Sequence, residues 1–130
     1  MKNVEIIRGY RSFGHEDVYD SNPAVEIVEG DIIDGNGDKV TLLDTHIECG
    51  ISIEKNTTVA GGQKPSNSIP VYVSNFVAKT SRFTPGVYTV GEPVTVINGL
   101  PSKLTGTNLV VWGYVTKVGT DGSLTIRCNY

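Results

Sequence analysis

Four short stretches of this 130-residue chain carry residue types that could do chemistry. Asp34-Gly35-Asn36-Gly37-Asp38 begins like a calcium loop, where oxygens at alternate positions wrap a hard cation. The motif then requires Gly where Lys39 stands and Glu where Thr45 stands, and no helix pattern flanks it. A polar hairpin turn is the better reading. His46-Ile47-Glu48 has the H-x-E of zinc deaminases, but that chemistry also needs a P-C-x-x-C to complete the metal shell. The one later cysteine is Cys128, inside Arg127-Cys128-Asn129, so His46 and Glu48 read as outward residues of one strand. His15-Glu16-Asp17 puts an imidazole beside two carboxylates. Consecutive strand residues point apart, so a polar contact to a partner suits them better than a metal. Gly61-Gly62-Gln63-Lys64-Pro65-Ser66 lacks the spacing of a phosphate loop, and its Pro stands where the helix would start.

No G-x-S-x-G elbow occurs, and neither of the two His lies near a nucleophile motif. The expectation is therefore a protein that is not an enzyme and that uses no metal or other cofactor.

The elements that would position these residues are strands. The chain has 17 Val, 11 Ile and 13 Thr against 3 Ala and 6 Leu, with 15 Gly and 6 Pro for turns. β-branched side chains are stiff at χ1 and fit a pleated sheet, whereas the best helix formers are scarce. The fold class expected is all-β: a small antiparallel β-barrel or sandwich with short hairpins. A chain this long buries roughly two-thirds of its unfolded surface and can hold a core unaided. Cys49 and Cys128 read as free, buried residues.

The net charge of −3 and pI near 5.3 argue against nucleic acid as a partner. No run of apolar residues is long enough to span a membrane, and the N-terminus lacks a signal-peptide core, so synthesis in a cytoplasm is expected.

Two regions are expected, an extended N-terminal arm over 1–23 and a β domain over 24–130. In the arm, Val4-Glu5-Ile6-Ile7 reads as a short strand, and Tyr10, Phe13 and Tyr19 follow among polar residues. In the domain, the spacing predicts a hairpin about Asp34–Asp38 and an alternating strand from His46 to Glu54. A loop over 55–69 follows, then strands over 70–73 and 76–77. Further strands are expected over 87–90, 93–97, 109–118 and 124–128, the last two joined by Gly119-Thr120-Asp121-Gly122. Val110, Trp112, Tyr114, Thr116 and Val118 are expected on one face, with Gly113 marking a bulge or close approach.

The runs Gly86-Val87-Tyr88-Thr89-Val90-Gly91-Glu92-Pro93-Val94-Thr95-Val96, Val111-Trp112-Gly113-Tyr114-Val115 and Asp121-Gly122-Ser123-Leu124-Thr125-Ile126 resemble those of tailed-bacteriophage capsid decoration, or cement, proteins. Gly30-Asp31-Ile32-Ile33 begins a strand in a similar way, and the likeness extends over residues 24–130. The resemblance implies a noncatalytic virion protein made in the host cytoplasm. It would bind the major capsid protein on the outer surface of the capsid, self-associate, as a trimer for preference, and stabilise the shell. The partner contacts then expected are apolar Ile6, Ile7, Tyr10 and Phe13, with Arg8 and Arg11 as charge partners. Two alternatives stand beside it. One is a tail or fibre module. The other is a carbohydrate-binding β-sandwich using Trp112, Tyr72 and Tyr88 as stacking platforms, which a flat exposed Trp112 would favour.

Overall fold

The computed structural model describes residues 3–9, 15–20, 26–55, 68–106 and 108–130. Among them the chain is all-β, with ten strands in two antiparallel sheets and no helix. The larger sheet has the order β1-β6-β10-β9-β7-β8: Val4–Gly9, Phe76–Thr80, Leu124–Cys128, Gly113–Val118, Pro93–Ile97 and Leu100–Lys103. The smaller sheet has the order β2-β5-β4-β3: His15–Asp20, Ser68–Ser74, Cys49–Ser52 and Ile32–Asp34. The sheets do not close into a barrel; the architecture is a small β-sandwich.

The main core lies between the sheets. Ile32, Cys49 and Ile51 of the smaller sheet pack with Phe76, Val94, Trp112, Val115 and Ile126 of and beside the larger. Phe76 meets both Tyr72 and Trp112 edge-on, at 5.7 and 5.9 Å between ring centroids. The smaller sheet buries its other face too, where Ile27, Ile33, Ile69 and Val71 form a second cluster.

Several expectations hold to the residue. β7 and β10 occupy Pro93–Ile97 and Leu124–Cys128. Gly113 is a close approach: a Cβ there would lie 2.7 Å from the Arg127 carbonyl oxygen. Others are corrected. Residues 87–90 form no strand but part of an exposed loop. Regular pairing in the 109–118 stretch starts only at Gly113, because the preceding residues run beside other partners: the Val110 N–H donates to Leu43 O and the Trp112 N–H to Val94 O. The change of partners turns Trp112 inward at 1% exposure while Tyr114 faces out at 41%, so the two do not share a face. The hairpin expected at Asp34–Asp38 does form: the Asp34 N–H donates to Asp38 O at 2.9 Å and the Val40 N–H to Ile32 O at 3.0 Å, with Ile33 bridged to Lys39. The segment read as an arm supplies β1, paired along β6, and β2, paired along β5.

Candidate functional surfaces

The residues singled out for chemistry are occupied with structure where they are described. Asp34 Oδ1 accepts the N–H groups of Asn36 and Asp38, at 2.9 and 3.2 Å. It serves its own turn, as Asx side chains do. His46 stacks on Tyr130, 4.6 Å between centroids and 10° from parallel, and the Tyr130 hydroxyl donates to the Ile47 carbonyl. His15-Glu16-Asp17 lies on β2, and its side chains fall outside the described residues, as do residues 56–67 of the loop and all of Gly61–Ser66. Among the described residues no group of three or more His, Cys, Asp and Glu could hold a metal ion. Cys49 and Cys128 are free and buried, and burial pushes each thiol up to about 12.

The most constrained feature at the surface is the loop from Phe83 to Glu92. Its first half is anchored where the Thr84 N–H donates to Pro101 O at 2.9 Å and the Thr84 and Ser102 hydroxyls meet at 2.5 Å. Tyr88 lies back into the protein, its hydroxyl donating to Thr84 O at 2.6 Å and its ring meeting Phe83 edge-on at 5.4 Å. The second half is closed by Glu92, which accepts the Thr89 N–H at 3.0 Å on one oxygen and pairs with Lys103 Nζ at 2.6 Å on the other. That ammonium also stands 4.9 Å over the Tyr88 ring. The bond from Lys103 holds the Glu92 carboxyl below its usual range, and the Thr89 N–H adds to this. Burial raises the Tyr88 hydroxyl, and the charge of Glu92 raises it further. Between these anchors the loop presents Val87 and Val90 to solvent, 83% and 68% exposed. Two apolar side chains thus stand exposed on a backbone that is tied on both sides of them.

A second site of concentrated charge is internal. Asp31, 1% exposed, takes Arg82 Nη1 at 2.5 Å on one oxygen, while its other oxygen accepts the Val28 N–H at 2.9 Å and faces Lys39 Nζ at 3.7 Å. Arg82 also reaches the Glu29 carbonyl. This cluster ties the turn before β3 to the end of β6, which is work for the fold.

Of the six partner contacts expected from the sequence, Ile6 is half-buried and packs against the main core, whereas Ile7 is 46% exposed. Arg8 lies on β1 opposite Val77, with its side chain outside the described residues. Tyr10, Arg11 and Phe13 lie outside the described residues altogether. Of the three aromatics considered as sugar platforms, Trp112 and Tyr88 are buried and Tyr72 is half-buried against the core. Sequence reasoning missed Val87 and Val90 as a display because alternation made them look like a strand. The glycines that bracket them, Gly86 and Gly91, were the available signal, and Gly91 turns the chain at a φ of 90°.

No protein-family model, curated protein or solved structure matches this chain.

Proposed function

We propose that this protein is a noncatalytic structural component of a phage particle that binds the major capsid protein on the outer surface of the shell and stabilises it. The capsid as partner comes from the resemblance of the strand and turn phrases. The observation that supports a docking role is the braced loop 83–92, which offers Val87 and Val90 from a rigid body. A protein that binds the assembled shell and not its dissociated subunits stabilises the shell by mass action, and many copies let modest contacts accumulate. A braced loop loses little conformational freedom on binding, so more of its contact energy is realised as affinity.

The test is sedimentation of purified protein with capsids stripped of their surface proteins. Binding should saturate at a copy number set by the shell's symmetry, and bound shells should resist heat better than bare ones. Val87→Asp with Val90→Asp should abolish co-sedimentation while leaving the thermal melt unchanged, since both side chains are exposed. Failure of the unaltered protein to co-sediment with any such shell would sink the reading.

A further inference from the structure

A row of four side chains crosses the outer face of the six-stranded sheet. The register sets Glu5 beside Lys79, Lys79 beside Thr125, and Thr125 beside Lys117. The neighbouring residues Val4, Ala78, Leu124 and Ile126 are buried on the opposite face, in the main core. Three strand spacings separate the ends of the row, about 14 Å. Lys79 is engaged by Asp121 at 2.9 Å. Glu5 and Lys117, at the two ends, are exposed, and neither is in an ion pair within the described residues. Together with Ile7 and Val118, which are 46% and 45% exposed, these residues line a surface depression of about 690 Å³.

The row therefore has a negative end, a positive end, and exposed aliphatic surface in the same depression. A partner of uniform charge would suit one end and oppose the other. A second copy of this chain, turned by half a revolution, suits both.

We propose that this face is an interface between two copies of the chain, related by a twofold axis that lies in the interface and runs parallel to the strands. The half-turn reverses the row. Glu5 then meets the second copy's Lys117, Lys117 meets the second copy's Glu5, and Ile7 and Val118 are covered. Such an interface is isologous, the same patch on both sides. A threefold ring joins two different patches, whereas this row is complementary to its own reverse, so a dimer is expected in place of the trimer that the resemblance implies. The inference stands apart from the capsid reading, because the row and its reversal involve neither Val87 nor Val90.

Analytical ultracentrifugation of the full chain tests it. The unaltered protein should sediment at twice the mass of its 14.0 kDa chain at micromolar concentration, and high salt should weaken the dimer. Glu5→Lys and Lys117→Glu should each replace two attractive contacts by two repulsive ones, weakening the dimer roughly 10- to 100-fold. An equimolar mixture of the two variants should regain dimer. In each mixed pair the two introduced charges, opposite in sign, meet each other, and the unaltered Lys117 of one copy meets the unaltered Glu5 of the other. Both substitutions are at exposed positions, and thermal melts will show each variant folded. A monomer or trimer for the unaltered protein would overturn the proposal, as would a mixture that associates no better than either variant alone.

Discussion

The two sheets are made from the same kinds of residue and bury them differently. In the six-stranded sheet β9 and β10 bury one face and leave the other more open, whereas β6 and β7 bury consecutive residues. Along β10, Leu124, Ile126 and Cys128 are buried, while Thr125 is half-buried and Arg127 exposed. In the four-stranded sheet β4 and the start of β3 are covered on both faces. All of β4 is buried, Cys49 through Ser52, and on β3 the adjacent Ile32 and Ile33 enter different clusters. A sheet with one wet face selects alternation, and a sheet covered twice selects continuous apolar runs. In each sheet the strands covered on both faces have less room for change than the strands with a wet face.

The largest effect is expected where enclosure and charge coincide. Asp31→Ala removes the buried carboxylate shared by the half-buried Arg82 and the Val28 N–H and should cost about 3–4 kcal/mol in urea melts. The surface counterpart, Lys79→Ala in its exposed pair with Asp121, should lower the midpoint only slightly. Equal losses at the two sites would erase the distinction between enclosed and open positions.

Gly50→Val and Gly113→Val come next, one in each sheet. A Cβ at Gly50 would stand 2.8 Å from the Tyr72 carbonyl oxygen, as close as the 2.7 Å at Gly113 to that of Arg127. In both cases the obstacle is backbone of the neighbouring strand, so about 3 kcal/mol should be lost or the protein should fail to accumulate in soluble form. A soluble Gly50→Val variant with an unchanged midpoint would mean that β4 is not clamped against β5.

Ile33→Ala and Ile126→Ala compare the second cluster with the main core. Each should cost about 2–4 kcal/mol if both are true interiors. A loss at Ile33 below about 1 kcal/mol would mark the far face of the smaller sheet as a loosely covered surface.

The effect that is smallest at neutral pH draws one thiol from each sheet and grows only in alkali. Cys49 and Cys128 ionise near 9.0 when unfolded and are held up to about 12 by burial when folded. Their contribution is fully present below pH 9 and is lost as the pH rises toward 12, at a slope of about 1.4 kcal/mol per pH unit for each thiol. Replacing both by Ala should flatten that alkaline decline, and at about pH 8 neither thiol should react with a thiol reagent until the protein is unfolded. Prompt reaction of one thiol would show its sheet to be opening locally.

Much of the larger sheet was legible in the sequence because a half-buried sheet writes its orientation into alternation. The limits of β10 followed from it, and those of β7 from its run of β-branched residues after Pro93. The two Asn-Gly pairs show where local reading fails. Asn98-Gly99 is the tight turn between β7 and β8, with both residues at positive φ, 52° and 76°. It went unread in the sequence; the strand it leads into, β8, carries Pro101 and is an edge strand, where Pro is tolerated. Asn36-Gly37 was read as a hairpin turn and forms one, with the Asp34 N–H on Asp38 O and the Val40 N–H on Ile32 O, but the residues after it continue in no regular strand. Trp112 was readable as an anchor. Its face was not, because the segment before Gly113 hydrogen-bonds away from β10. Nor did any local signal join Asp31 to Arg82 across 51 positions.

The sequence by itself determined that the chain is all-β, where several strands lie, and that its motif-like stretches lack the spacing for metal or phosphate chemistry. These are consequences of side-chain shape and of periods a few residues long, and they are written locally. Only the tertiary structure decided which strands share a sheet, which strands are covered on both faces, that Val87 and Val90 are held out on a braced loop, and that Glu5 and Lys117 end one row. Each of these depends on contacts between residues far apart in the chain. Their geometry is set by the packing of the two sheets, and no period in the sequence records it.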